Sequence, residues 1–332
     1  MGGRRCGMGL AVLASMALTG LAAPGAERGP VRVIFDTDIG GDVDDVGAVA
    51  VLHALADQGE ADILAMSVCV ADPWSAPCLD ALNAWYGRGE IPIGVVKEPA
   101  VHAGSKYVRQ IAEAFPHRLK SASDAPDAVD LYRRTLAAQP DGSVVLITVG
   151  FLTNVARLLD SPPDAHSPLA GVDLARRKSR AWVAMAGAFP RGREWNVQQD
   201  AASARRAIDL WPGPIVFSGF EIGEPIMTGA GLKATPVGNP ARRAYELFNG
   251  LCDRSSWDQT AVLFGVRGLD GAPLNLWRQS PPGDNRVLSD GSNAWSDSPD
   301  RGRRYLVPIA ANDTVAKTIE ALMIQPPRRA TR

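Results

Sequence analysis

A chain of 332 residues, 46% of them hydrophobic, can bury the core of one large α/β domain or two modest ones. With a formal charge of −1 and charges dispersed along the sequence, it lacks the basic footprint that nucleic acid as a partner would require. Three cysteines, Cys69, Cys78 and Cys252, follow Cys6 of the N-terminal segment, which excludes a full disulfide framework and leaves one bridge open.

The N-terminus opens with Arg4 and Arg5, then an apolar stretch from Met8 to Leu21 that is short for a bilayer span. Small residues at Ala22, Ala23 and Ala26 offer cleavage points. The segment 1–26 is therefore read as a signal peptide, giving an exported chain that starts near Glu27 and keeps no stable membrane anchor. An apolar run, Val31 to Phe35, has the unalternating character of a buried parallel strand. Five aspartates follow within ten residues, Asp36, Asp38, Asp42, Asp44 and Asp45, with Gly40-Gly41 between them. Residues 46–56 then read as a helix entered through Asp44 and Asp45, where acidic side chains cap exposed N–H groups.

Downstream, the pattern predicts a strand at 61–70, a helix at 74–87 and a short strand at 91–96. It continues with a helix at 127–139, a strand at 143–149, a helix at 152–159 starting at Thr153-Asn154, and strands at 180–186 and 214–218. Residues 265–304, rich in Gly, Pro, Asn and Asp, read as loops with short strands. Asn312-Asp313-Thr314 is expected to cap a last helix through Met323, and 326–332 to be a disordered tail. Repeated β-turn-α units predict an open, mostly parallel sheet flanked by helices with a Rossmann-like core, in one domain over 27–325.

The acidic turn carries the chemistry. Carboxylates gathered at the lip of a buried strand repel one another, and their pKa values rise unless a cation offsets the charge. Hard divalent ions with oxygen ligands, Ca²⁺ or Mg²⁺, meet that demand. The place is also right, because ligands of open α/β sheets bind at the carboxyl ends of the strands.

Asp36-Thr37-Asp38-Ile39-Gly40 followed by Asp44-Asp45 resembles the N-terminal signature of the nucleoside hydrolases of the inosine–uridine-preferring type. Three further blocks match in order: Val149 to Asn154; Met185 to Phe189 with Glu194-Trp195-Asn196; and Ser256-Trp257-Asp258. The resemblance implies an N-glycosidase with a tightly bound Ca²⁺ at the bottom of a deep pocket. Residue by residue, it implies Asp38 as metal-bound general base and Asp45 and Asp258 as carboxylate ligands, with the Val149 carbonyl as a backbone ligand. Glu194 and Asn196 match the pair that holds the sugar hydroxyls, and Asp72 falls at a position that contacts ribose or its metal. The acidic signature here is longer than usual by Asp42-Val43, so either Asp42 or Asp44 takes the place beside Asp45. Asp36 is expected to order the loop through backbone hydrogen bonds.

Trp257 stands where base-protonating members carry His. An indole is no general acid near neutral pH, but it can stack on a departing base. His53, His102, His117 and His166 lie outside the matching blocks and read as surface or packing residues. The partner implied is a small nucleoside or another N-ribosyl compound, with a homodimer or homotetramer as the assembly. Two other readings compete. One is a non-catalytic, Ca²⁺-dependent sugar- or nucleoside-binding protein. The other is a haloacid dehalogenase-like phosphatase, which needs Thr or Val where this chain has Gly40.

Overall fold

The computed structural model describes residues 1–2, 29–269, 275–298 and 301–328. Apart from its first two residues, the segment read as a signal peptide lies outside them, as does the end of the tail.

Buried strands and covering helices alternate from the start. β1 (Val31–Thr37) leads to α1 (Asp44–Asp57), β2 (Ala61–Val68), α2 (Ser75–Trp85), β3 (Ile93–Val95), α3 (Val108–Ala114) and α4 (Ala128–Ala138). Next come β4 (Val144–Thr148), α5 (Thr153–Asp160), α6 (Gly171–Lys178), β5 (Ser179–Met185), β6 (Arg191–Arg193), α7 (Trp195–Gln199) and α8 (Ala201–Leu210). β7 (Ile215–Ser218), α9 (Phe220–Gly223), β8 (Met227–Thr228), α10 (Pro240–Asn249), β9 (Arg254–Ser255) and α11 (Trp257–Arg267) follow. The chain closes with β10 (Trp277–Gln279), β11 (Asp284–Val287), β12 (Ser292–Ser296), β13 (Arg304–Pro308) and α12 (Asn312–Met323).

Eight strands form the central sheet in the order β10-β13-β7-β5-β4-β1-β2-β3, parallel throughout except for the edge strand β10. From β1 the order runs one way to β2 and β3 and the other way to β4, so the chain reverses direction between β1 and β4. That switch point opens a crevice at the strand ends, where Asp38 follows β1 and Val149 follows β4. One apolar cluster lies under α1, α2, α11 and α12 and another under α4, α5, α6 and α8, one on each face of the sheet. Val33 and Phe35 of β1 belong to the first and Ile34 to the second, as the period of two requires.

The expected strands and helices appear within a few residues of their limits. The structure adds α3 and α6 through α11, which the sequence pattern did not single out. α10 carries every boundary signal: Asn239 accepts from Ala241 N, Pro240 takes the first position and Gly250 ends the helix with φ 71°. Within 265–304, β12 pairs with both β11 and β6 in a small antiparallel sheet, and β13 beyond it joins the main sheet beside β7. Two caps are corrected. α12 is preceded by Ala311, so Asn312 lies inside its first turn, and α1 is preceded by Val43 with no side-chain cap. Cys69, Cys78 and Cys252 are all free thiols. The tail read as disordered from residue 326 is tied down as far as Arg328, whose backbone N donates to Asp57 Oδ2 at 2.8 Å.

Candidate active site

The two carboxylates at the end of β1 have different surroundings. Asp36 turns into the face covered by α4 and α5, where it accepts from Tyr132 Oη and, at 2.9 Å, from Asn154 Nδ2. It therefore ties the strand to two helices rather than ordering the acidic loop through backbone bonds. Asn154 acts as that tie and not as a cap, since α5 begins at Thr153 after Leu152. Asp38 points into the crevice. Between them, Thr37 donates from Oγ1 to the Asp45 carboxylate and accepts from Ile39 N at 3.1 Å. Gly40, with φ +141°, makes the turn that carries the chain to α1.

Two helix N-termini converge in the same crevice. Asp44 and Asp45 lie in the first turn of α1 and Asp258 in the first turn of α11, and an oxygen of each falls within 4.8 Å of the others. Asp44 does not cap its own helix: its Oδ2 accepts from Asp258 N at 3.3 Å. The structure thus brings Asp44, and not Asp42, into the carboxylate group with Asp45. Asp42 faces Arg254 instead, with Nη2 to Oδ2 at 2.5 Å.

Opposite the cluster, Glu194 caps α7, accepting at Oε1 from Asn196 N (2.6 Å) and at Oε2 from Gly187 N and Val197 N (both 3.1 Å). Asn196 Nδ2 donates to the carbonyls of Val149 (3.1 Å) and Met185 (3.3 Å), which pins the ends of β4 and β5 together. These groups surround a cavity of about 600 Å³. Trp257 forms part of its wall, stacked on Phe220 at 5.3 Å with its Nε1 donating to the Phe220 carbonyl at 2.9 Å.

Six carboxyl groups line this cavity, those of Asp38, Asp42, Asp44, Asp45, Glu194 and Asp258, against one arginine, Arg254. Burial is the strongest influence on the ionisation of Asp38, Asp44, Asp45, Glu194 and Asp258. Asp38 is pushed up to about 7, with Glu194, Asp36 and Asp42 adding repulsion, and Glu194 is pushed up to about 7 by burial alone. Asp44, Asp45 and Asp258 rise well above the ordinary carboxylate range, each through burial and then its acidic neighbours. Such an arrangement of hard oxygen donors, with no His or Cys among the clustered groups, fits a hard divalent cation. The Val149 carbonyl lines the same cavity and can serve as a further donor.

Asp72 is the one expected site residue outside that lining. Its Oδ1 accepts from Trp74 N (2.7 Å) and Ser75 N (3.0 Å), shaping the turn into α2. Conversely, the lining includes Arg254, Phe220, Trp195 and His102, which the sequence alone did not mark as site residues. Phe220 follows the end of β7 and Arg254 precedes Trp257 by three residues, so strand-end position and proximity to the last acidic block were the available signals. Nothing local marks His102, which reaches the rim on the loop before α3, paired with Glu98 at 2.9 Å.

A switch-point crevice with a carboxylate floor and an aromatic wall defines an α/β enzyme of small ligands. The chain belongs to the inosine-uridine preferring nucleoside hydrolase family, whose sequence profile matches residues 33–266. It is by that membership an N-glycosyl hydrolase, from a family in which metal dependence is typical. Among curated proteins, no sequence relative matches. Solved structures share the fold. A plant nucleoside hydrolase is 18% identical at a TM-score of 0.62, with 90% of this chain and 100% of that one covered. A purine-preferring ribonucleoside hydrolase from Gardnerella vaginalis is 16% identical at 0.64, with 88% and 98% covered. The type III effector protein XopQ, complexed with adenosine diphosphate ribose, is 15% identical at 0.65, with 91% and 95% covered.

Proposed function

We propose that this protein hydrolyses the N-glycosidic bond of ribonucleosides or related N-ribosyl compounds, with Ca²⁺ as resident metal and Asp38 as general base. The observation that carries this reading is the convergence of Asp44, Asp45 and Asp258 on one point of the cavity that Asp38 also lines. Asp38, Asp45, Asp258 and the Val149 carbonyl would hold the ion, with Asp44 beside them and Asp42 turned away to Arg254. A calcium ion there would offset the clustered charge, hold the vicinal hydroxyls of ribose and acidify a bound water.

The chain's own groups do the rest. Asp38 lines the cavity beside the acidic cluster, so its carboxylate is placed to accept a proton from the attacking water. As the glycosidic bond lengthens, the surrounding carboxylates favour the positive charge that develops on the ribosyl ring. Glu194 is rigid because three backbone N–H groups hold its carboxylate. Asn196 has its amide N–H₂ occupied by the Val149 and Met185 carbonyls, which orients Oδ1 as an acceptor for a sugar hydroxyl. Phe220 and Trp257 offer a stacking face to the heterocycle.

The test is release of reducing sugar from a panel of ribonucleosides, with Ca²⁺ and with chelator. Chelator-sensitive release supports the reading. No release from any nucleoside, with Ca²⁺ bound, would leave a pocket that only binds. Because the solved XopQ structure holds adenosine diphosphate ribose, that compound joins the binding panel. The segment 1–26 supports export, read by N-terminal sequencing of the mature protein. The homodimer or homotetramer that the family resemblance implies is read by sedimentation velocity.

A further inference from the structure

Breaking a C1′–N bond leaves the electron pair on the heterocycle, and some donor must meet that charge. Trp257 is not available for it, because Nε1 is committed to the Phe220 carbonyl. Arg254 is differently placed. Its guanidinium carbon lies 4.9 Å from the centroid of the Trp257 ring, so cation and indole share the wall of the cavity. Nε is 3.0 and 3.1 Å from the two Asp42 oxygens and Nη2 is 2.5 Å from Oδ2, a fork that fixes the guanidinium. Asp42 is itself anchored: Oδ1 accepts from Val43 N at 2.7 Å, and its carbonyl accepts from Tyr107 Oη at 2.6 Å. Nη1 makes no hydrogen bond among the described residues.

We propose that Arg254 is the leaving-group residue of this site, with Nη1 donating a hydrogen bond to the heterocycle as it departs and Asp42 positioning the guanidinium. This rests on the N-ribohydrolase reading. The step balances without a general acid: the C1′–N pair moves to the heterocycle, and water oxygen bonds to C1′ while its proton passes to Asp38. The heterocycle anion, stabilised by Arg254 and by stacking, takes a proton from solvent, and Asp38 returns its own to solvent. Arginine suits this role because it stays charged at every working pH and presents planar donors against a ring.

The experiment compares Arg254→Gln with the parent on two ribosides. Inosine has a poor leaving group, whereas in 4-nitrophenyl riboside the phenolate departs as a stable anion unaided. Losing one preorganised donor should lower kcat for inosine by about 100-fold or more. The nitrophenyl riboside should lose less than about 5-fold, because little charge there needs help. Arg254→Lys, which keeps the charge without the fork, should recover part of the inosine rate. Equal losses on both substrates, or none, would overturn the proposal and leave Arg254 as a neutraliser of Asp42. A leaving-group-dependent loss in His102→Ala in place of Arg254→Gln would transfer the role to the rim histidine.

A second readout does not depend on turnover. Binding of free xanthine, at a pH where it is anionic, should weaken about 10-fold in Arg254→Gln while hypoxanthine binding changes little. Unchanged xanthine affinity sinks the proposal even in a protein that turns nothing over. Absence of sugar release by the parent from both ribosides counts against the hydrolase reading itself.

Discussion

At position 38 catalysis and stability pull in opposite directions. Burial and the neighbouring Glu194 lift the Asp38 carboxyl to about 7, so the folded metal-free chain holds a proton that the unfolded chain has released. A raised folded pKa gives stability that is present below the unfolded value and is lost as pH rises through the folded one. Asp38→Asn should therefore raise the unfolding free energy of the metal-free protein at pH 8, by at most a few kcal/mol, with the gain fading towards pH 4. The same variant should lose about 10²- to 10⁴-fold in kcat, because the amide accepts no proton. Calorimetry across pH and steady-state kinetics check the two halves separately. Asp72 gives the opposite pattern. Its carboxylate serves two backbone N–H groups of a turn, so Asp72→Ala should cost about 1 kcal/mol in urea unfolding and leave kcat and KM as they were.

Among the elements, the decisive contact is between the ends of β1 and β4. The chain leaving β4 passes so close to the chain leaving β1 that a Cβ on Gly150 would lie 2.5 Å from Asp38 N and 2.6 Å from Cys69 Sγ. Backbone cannot yield cheaply there, and Asp38 would move with it. Gly150→Ala should destabilise the fold by about 1–3 kcal/mol and depress kcat in the folded fraction. Full activity in a folded Gly150→Ala protein would show that Asp38 tolerates displacement. The meeting of α1 and α11 works differently, since there the helix starts supply carboxylates and N–H groups to one another. Asp44 accepting from Asp258 N is the single hydrogen bond that joins them in the acidic cluster among the described residues.

For the molecule as a whole, the clustered carboxylates make stability depend on the cation. Ca²⁺ and protons compete for the same oxygens, so Ca²⁺ should raise the thermal midpoint more at pH 8 than at pH 5, and chelator should reverse the gain. A midpoint indifferent to Ca²⁺ and chelator at both pH values would remove the metal from the account. The acid limb has a separate source in His53, buried in α1, stacked on Tyr86 at 4.5 Å and bonded to Asn83 at 2.8 Å. Burial lowers its pKa to about 3, so between about pH 6.5 and 3 the unfolded chain binds a proton that the folded chain refuses. That penalty is absent above the unfolded value and grows as pH falls. His53→Gln should flatten this part of the stability–pH curve, read against the parent by urea titration.

Strand and helix identity was legible in the sequence wherever apolar runs were long and unbroken, as in β1, β2 and β4, because burial on both faces permits no alternation. The acidic block after β1 likewise marked its five aspartates as a candidate cation site, with Asp42 and Asp44 left open as the neighbour of Asp45, since local charge density is a property of sequence alone. α10 was not singled out: Asn239, Pro240 and Gly250 stand at its boundaries, but its apolar face is narrow. Distance decided the rest. Asp258 stands 214 positions from Asp44 and Arg254 212 from Asp42, and no local pattern says that α11 will lay its N-terminus against that of α1. Only the tertiary packing turned Asp42 to Arg254 and tied Asp36 to Tyr132 and Asn154, whereas the turn that Asp72 shapes is local. Side-chain type follows from sequence, whereas which carboxylates share one cavity follows from long-range packing.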